Sequence, residues 1–153
     1  MSIKEIKDFF LEQSRKSVNN ATKISIKRKR HFAGALIPYY CVFGVEKDTF
    51  LEYCKEIYKD GNEDEEDDYP TSFESMKMLV DSGRIKRIVR IFYGDTIVMD
   101  IGDDEHSFFA YVESSPELAF SSPIKIQSDD ECTFEIKTSS HWKKGMSLSL
   151  YHK

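Results

Sequence analysis

Hydrophobic and polar positions alternate most regularly near the C-terminal end of the chain. Residues 132–137 (CTFEIK) and 146–151 (MSLSLY) carry an apolar side chain at every second position. Because successive side chains of a β-strand point to opposite faces, this pattern predicts strands with one buried and one solvent-exposed face. Apolar runs at residues 84–93, 96–101, 106–112 and 124–127, separated by turn residues, extend the array to about six strands over residues 84–152.

The links within this strand array indicate how its strands pair. Gly94-Asp95 separates two apolar runs and predicts a β-hairpin, because glycine takes the positive φ that tight turns require. Residues 113–123 are rich in serine and contain two prolines, so they are predicted to form a loop. The short, regular spacing favours a mainly β fold, an antiparallel two-sheet β-sandwich, with a partly open barrel as the alternative.

Residues 23–45 contain two more apolar runs and are predicted to form a β-hairpin in the same sheet system. The even-numbered residues from Ile24 to Arg30 share one face. The first strand is therefore expected to begin with buried isoleucines and to end with charged residues on that face. Pro38 in the second run indicates an edge strand or a bulge.

Apolar residues at helical spacing mark three segments outside the strands. Ser2 followed by Glu5 is a capping-box pattern and begins a predicted helix over residues 3–14. That helix is expected to cover an open end or edge of the sheets, with partner binding as the alternative. Two further predicted helices form an insertion over residues 48–82, interrupted by an acidic loop at residues 60–68.

Composition predicts one globular domain over residues 1–153 and disfavours two functional classes. The net charge of −5 weighs against a dedicated nucleic-acid binder. No run approaches ~18 apolar residues, so no transmembrane helix is expected. The chain has three cysteines without paired spacing and an N-terminus unlike a signal peptide, which together predict free, buried thiols and a cytoplasmic protein.

Two segments could bind a metal ion. Asp60, Asn62 and Asp64 follow the D-x-N-x-D spacing of a calcium-binding EF-hand loop, but Glu65 stands at the position that requires glycine and Thr71 at the position that requires glutamate. An acidic, solvated loop is therefore favoured over a calcium site.

Residues 100–106 (DIGDDEH) are the second metal-binding candidate. They place four acidic side chains near His106, which could bind metal or transfer protons. A turn requires the same residue types, so this is the weaker interpretation.

Two basic segments form a candidate anion site. If their strands are neighbours, they would present a cationic patch to phosphate, nucleic acid or an acidic protein. The alternative is that these side chains pair with the acidic loop or protect an edge strand. The residues are Lys27, Arg28, Lys29, Arg30, Arg84, Arg87 and Arg90.

No pattern of a catalytic nucleophile, a glycine-rich phosphate loop or a cofactor site is present in the sequence. We therefore predict a non-catalytic cytoplasmic protein-interaction module without cofactor, and a neutralising, immunity-type protein is one form of such a module. Nucleic-acid binding and a metal or enzymatic site are the alternatives. The candidate partner-binding residues are Trp142, because tryptophan is enriched at binding hot spots, and the acidic loop. The loop's candidate residues are Glu63, Asp64, Glu65, Glu66, Asp67 and Asp68.

Overall fold

A computed structural model of the chain describes residues 2–29, 38–61, 73–92, 94–113, 118–126, 132–141 and 145–152. In it, two β-sheets pack face to face and three helices cover one of them, which confirms the predicted two-sheet sandwich. No helix in these ranges is long and apolar enough to cross a bilayer. The elements are α1 (Ile3–Ser14), β1 (Thr22–Arg28), β2 (Tyr39–Phe43), α2 (Lys47–Gly61), α3 (Phe73–Asp81), β3 (Arg87–Ile91), β4 (Thr96–Ile101), β5 (Ser107–Glu113), β6 (Leu118–Phe120), β7 (Ile124–Lys125), β8 (Cys132–His141) and β9 (Gly145–His152).

The two sheets draw their strands from distant parts of the chain. Sheet A has the order β4-β1-β8-β9, and sheet B has the order β3-β2-β5, with β6 and β7 both pairing with β5. The β1–β8 pairing is parallel, so the prediction of a purely antiparallel sandwich is wrong at that position. Strand β6 lies inside the segment 113–123, which was predicted to be a loop.

Both predicted hairpins are wrong, because in each case the two strands lie in different sheets. Strands β1 and β2 of the segment 23–45 belong to sheet A and sheet B, respectively. The same separation divides β3 from β4, so the link around Gly94 carries the chain from one sheet to the other. The physical reason lies in burial. Every residue of β2 is buried, which requires a central position covered on both faces, whereas β1 alternates buried residues with more exposed ones.

The hydrophobic core has two layers. Between the sheets, Phe108 stacks on Phe43 at 4.7 Å between ring centroids and meets Phe134 edge-on at 5.1 Å. Between sheet B and the helices, Phe50 packs against Phe109 and Tyr111. Since sheet B is covered on both faces, it forms the middle layer of the molecule.

Helix α1 covers the outer face of sheet B near its β3 edge and also contacts β4. The hydroxyl of Ser2 accepts a hydrogen bond from the Glu5 N–H at 3.2 Å, so the predicted cap is present. Phe10 is buried, and the side-chain oxygen of the buried Gln13 accepts the Ile88 N–H at 3.4 Å. The helix therefore closes the side of the sandwich where β3 and β4 lie.

An ion pair is buried at one end of the sandwich. Arg87 is 0% exposed and Glu105 is 4% exposed. The guanidinium Nε of Arg87 lies 2.9 Å from Glu105 Oε2, and its Nη2 donates to Oε1 at 3.0 Å. Arg87 also donates to the Asp100 carbonyl at 3.0 Å, while Glu105 accepts the Gly102 N–H at 3.2 Å. The pair thus joins β3 of sheet B to the end of β4 in sheet A.

Arg28 makes a comparable link at the opposite end of β1. Its side chain is 2% exposed and donates from Nη1 to the Ile91 carbonyl of sheet B at 2.9 Å. Its guanidinium carbon lies 3.6 Å from the centroid of the Tyr39 ring, which is a close cation–π contact. The hydroxyl of Tyr39 in turn hydrogen-bonds with Thr138 of sheet A. The expectation that β1 leaves the buried core where its charged residues begin is wrong at Arg28, because this side chain lies inside the protein.

We predict that Glu105→Ala lowers the free energy of unfolding by about 3–5 kcal/mol, because the change leaves the Arg87 guanidinium buried without its carboxylate. Urea denaturation measures the change. Asp104→Ala is the matched control, since Asp104 pairs at 3.5 Å with the exposed Lys86 and such pairs contribute at most about 1 kcal/mol. Equal midpoints for the two variants would contradict a stabilising role for the buried pair.

Candidate protein-binding face

The outer face of sheet A is not covered by any described helix or strand, in contrast to that of sheet B. We call this surface the open face. Its position follows from the alternation along β1, β4, β8 and β9, whose other face supplies the core between the sheets. The side chains of the open face are Lys23, Ser25, Lys27, Lys29, Thr96, Val98, Asp100, Thr133, Glu135, Lys137, Ser149 and Tyr151.

Three exposed lysines lie together at one end of the open face. The Lys29 N–H donates to the Ile136 carbonyl at 3.0 Å, so Lys29 continues the β1–β8 ladder directly beside Lys137. Lys27 precedes Lys29 by two residues on the same face. We call Lys27, Lys29 and Lys137 the lysine cluster. Among the described residues, no carboxylate forms an ion pair with these three amines.

The lysine cluster is a local excess of positive charge on an acidic protein. Neighbouring strands are about 4.8 Å apart, so like charges on adjacent strands repel each other unless a partner supplies negative charge. The whole chain has a net charge of −5, so this surface differs in sign from the protein as a whole. Chemically, the cluster can bind carboxylates or phosphates.

The rest of the open face combines an exposed aliphatic side chain with an oriented tyrosine. Val98 is 58% exposed on β4. Tyr151 is 37% exposed, and its hydroxyl donates a hydrogen bond to the buried Glu135 on the neighbouring strand. This hydrogen bond, followed by partial burial and the negative charge of Glu135, raises the pKa of Tyr151 above the ordinary value for a tyrosine. Aromatic side chains such as Tyr151 are enriched at protein-binding surfaces.

The two predicted basic segments do not form one patch. Strands β1 and β3 lie in different sheets, and Arg28 and Arg87 are buried, so the condition for a shared cationic patch is not met. Arg84 is exposed and pairs with Glu56 at 3.6 Å, while the Arg90 guanidinium lies 4.8 Å from the Phe92 ring. Only Lys27 and Lys29 of the described members lie on the open face.

The segment around His106 does not assemble a metal site. Glu105 is held by Arg87, and the side chain of Asp100 faces solvent on the open face. The His106 Nε2 lies 3.4 Å from the Thr22 hydroxyl and 3.9 Å from an Asp103 oxygen. Within the described ranges, no group of three or more His, Cys, Asp or Glu side chains could hold a metal ion.

Several predicted site residues lie outside the described residues, among them Trp142, Arg30, Asn62 and the acidic side chains from Glu63 to Asp68. Asp60 is described only by its backbone, which is helical. Helix α2 runs to Gly61, so the predicted start of the acidic loop at residue 60 is wrong.

The three cysteines, Cys41, Cys54 and Cys132, are free and buried, as predicted. Burial raises the pKa of the Cys41 thiol far above its usual range, which disfavours the nucleophilic thiolate form.

Sequence reasoning missed the lysine cluster as a unit. The alternation already placed Lys27 and Lys29 opposite the buried isoleucines, and Lys137 opposite Phe134 and Ile136. The missing information was the parallel pairing of β1 with β8, which no short-range pattern indicates.

Comparison with known proteins leaves the family of this chain open. No family model matches the sequence, and no curated protein matches it. A structural similarity was found to the crystal structure of the T6SS lipoprotein TssJ1 from Pseudomonas aeruginosa, at 8% sequence identity and a TM-score of 0.41. The alignment covers 87% of this chain and 97% of that chain. At this distance the likeness carries no inference about function.

We predict that Glu135→Gln lowers the pKa of Tyr151 toward its ordinary value, because the change weakens the hydrogen bond that holds the phenolic proton and removes the negative charge beside it. Ultraviolet titration of each protein, with its Tyr151→Phe counterpart subtracted, isolates this one tyrosine. In the wild-type protein the phenol should ionise at a higher pH than a free tyrosine. A Tyr151 titration that Glu135→Gln leaves unchanged would rule out the carboxylate as the cause.

Proposed function

We propose that this protein is a non-catalytic binding module that contacts the acidic surface of a partner protein through the open face. The lysine cluster carries the proposal, because Lys27, Lys29 and Lys137 lie side by side and none of them forms an ion pair with a described carboxylate, although Glu135 lies beside Lys27 in register. An acidic partner would relieve their mutual repulsion and guide the encounter of the two proteins.

The apolar and aromatic groups support binding to a protein over binding to a nucleic acid. Val98 offers aliphatic contact area, which a phosphate backbone does not use, and the Tyr151 hydroxyl is already held by Glu135. In addition, the net charge of −5 repels a polyanion at long range, whereas a protein partner can present a limited acidic patch.

The test is affinity purification from nuclease-treated native lysate with three baits. These are the wild-type protein, the open-face variant K27E/K29E/K137E, and a control variant, K4E/K7E/K77E, which makes the same charge change at exposed lysines of α1 and α3. A protein retained by the wild type and the control but lost with the open-face variant supports the proposal. With that partner purified, the open-face variant should bind about 10- to 100-fold more weakly.

Two outcomes would overturn this assignment. A partner that binds all three baits equally uses another surface. The other outcome is that the wild-type protein retains only nucleic acid from untreated lysate, that salt releases this nucleic acid, and that its retention depends on Lys27 and Lys29. That result would assign the open face to phosphate binding.

A further inference from the structure

Strand β9 is a long strand at the edge of sheet A, and its own sequence lacks the residues that usually protect an edge against pairing. Within the described residues it pairs only with β8, so every second residue directs its N–H and C=O groups away from the sheet. From Gly145 to Tyr151 the strand contains no charged residue and no proline. Charge, proline, bulges and short length are the devices that normally prevent such an edge from pairing with another strand.

The other strand edges of the sandwich carry those devices. Strand β3 contains Arg87 and Arg90, and helix α1 packs against β3 and contacts β4. Strand β4 also carries the exposed Asp100. At the far edge of sheet B, β6 has three residues and β7 has two, with Pro123 directly before β7. The contrast identifies β9 as the edge at which this protein can gain another strand.

We propose that β9 pairs with β9 of a second copy of this chain, in antiparallel orientation about a two-fold axis perpendicular to sheet A. A second copy fits because the strand is self-complementary. It alternates inward-facing leucines with outward-facing hydroxyls, and neither face brings like charges together. Two-fold symmetric dimers are also the commonest assemblies of identical chains.

The alternation restricts the register of this pairing. Directly opposite residues point to the same face, so inward-facing residues must pair with inward-facing ones. A register centred on Ser149 meets this condition and places Leu148 opposite Leu150 of the second copy. It also places the exposed Tyr151 opposite Ser147 of the second copy. A register centred on Leu148 would instead place the Tyr151 ring opposite Gly145, which has no side chain to contact.

The dimer would join two four-stranded sheets into one sheet of eight strands. The inner leucines, 7% exposed at Leu148 and 8% at Leu150, would then lose their remaining contact with water. Both open faces would lie on the same side of the assembly. The proposal is independent of the proposed function, because it uses the strand edge and not the lysine cluster.

The first test is the molar mass of the full chain in solution, measured by light scattering over rising concentration. We expect a dimer for the wild-type protein and its loss in Ser149→Lys, because two ammonium groups would then face each other across the axis. Thr133→Lys adds the same charge to the open face one strand further in, on β8, and should leave the dimer intact. Thermal unfolding checks that both variants are folded, which their exposed positions favour.

A second test fixes the register. Residues at the two-fold axis have Cα atoms about 4.5–5.5 Å apart, which is within reach of a disulfide bond. Ser149→Cys should therefore form a disulfide-linked dimer on mild oxidation, because the three native thiols are buried. Lys137→Cys should not, since Lys137 lies opposite Ser149 on β8 and is about three strand spacings from its counterpart.

Three results would overturn the proposal. One is a wild-type chain that stays monomeric at every concentration, because pairing of β9 with a strand of a different protein would not be the proposed dimer. Another is a dimer that survives Ser149→Lys. The third is equal cross-linking of the Ser149→Cys and Lys137→Cys variants.

Discussion

Two buried guanidinium groups, those of Arg87 and Arg28, link the two sheets of the sandwich. Arg87 extends from sheet B to a backbone carbonyl of sheet A, and Arg28 extends from sheet A to a backbone carbonyl of sheet B. Each arginine lies at a different end of the sheets, so the sheets are joined by a hydrogen bond at both ends. A buried cation is costly unless it has close partners, and the Glu105 carboxylate and the Tyr39 ring meet that need.

This arrangement determines which surfaces remain available. The three helices pack on sheet B and complete the second hydrophobic layer there, with α1 also closing the β3–β4 side. Among the described residues, sheet A is left with a solvent-exposed face and an edge strand without charge from Gly145 to Tyr151. The lysine cluster and the outer edge of β9 therefore lie outside the core, whereas Leu148 and Leu150 of the same strand pack inside it.

The fold class and most elements could be predicted from local patterns, because period-2 alternation and capping residues report on each segment alone. Helix α1 and the strands β8 and β9 are examples. The pairing of strands could not be predicted in the same way. The link at Gly94 and the two neighbouring apolar runs of residues 23–45 indicated hairpins, but the burial of β2 on both faces placed it in the middle layer.

The candidate site was harder to predict for the same reason. A run of basic residues on a strand alternates between two environments, so Lys27 and Lys29 face solvent while Arg28 lies in the interior. Sequence alone gives the charge but not the assignment of each side chain to a face of a particular sheet. The partner strand that brings Lys137 beside Lys29 comes from the other end of the chain.

The parallel pairing of β1 with β8 also has a consequence for biosynthesis. Ile24 lies beside Cys132, so β1 meets this neighbour only after residues 25–132 have been synthesised. Contacts between such distant residues slow folding, because a large loop must close before they form. On the ribosome, β4 is synthesised before β8, so β1 can pair with β4 first while its other edge stays unpaired until β8 follows.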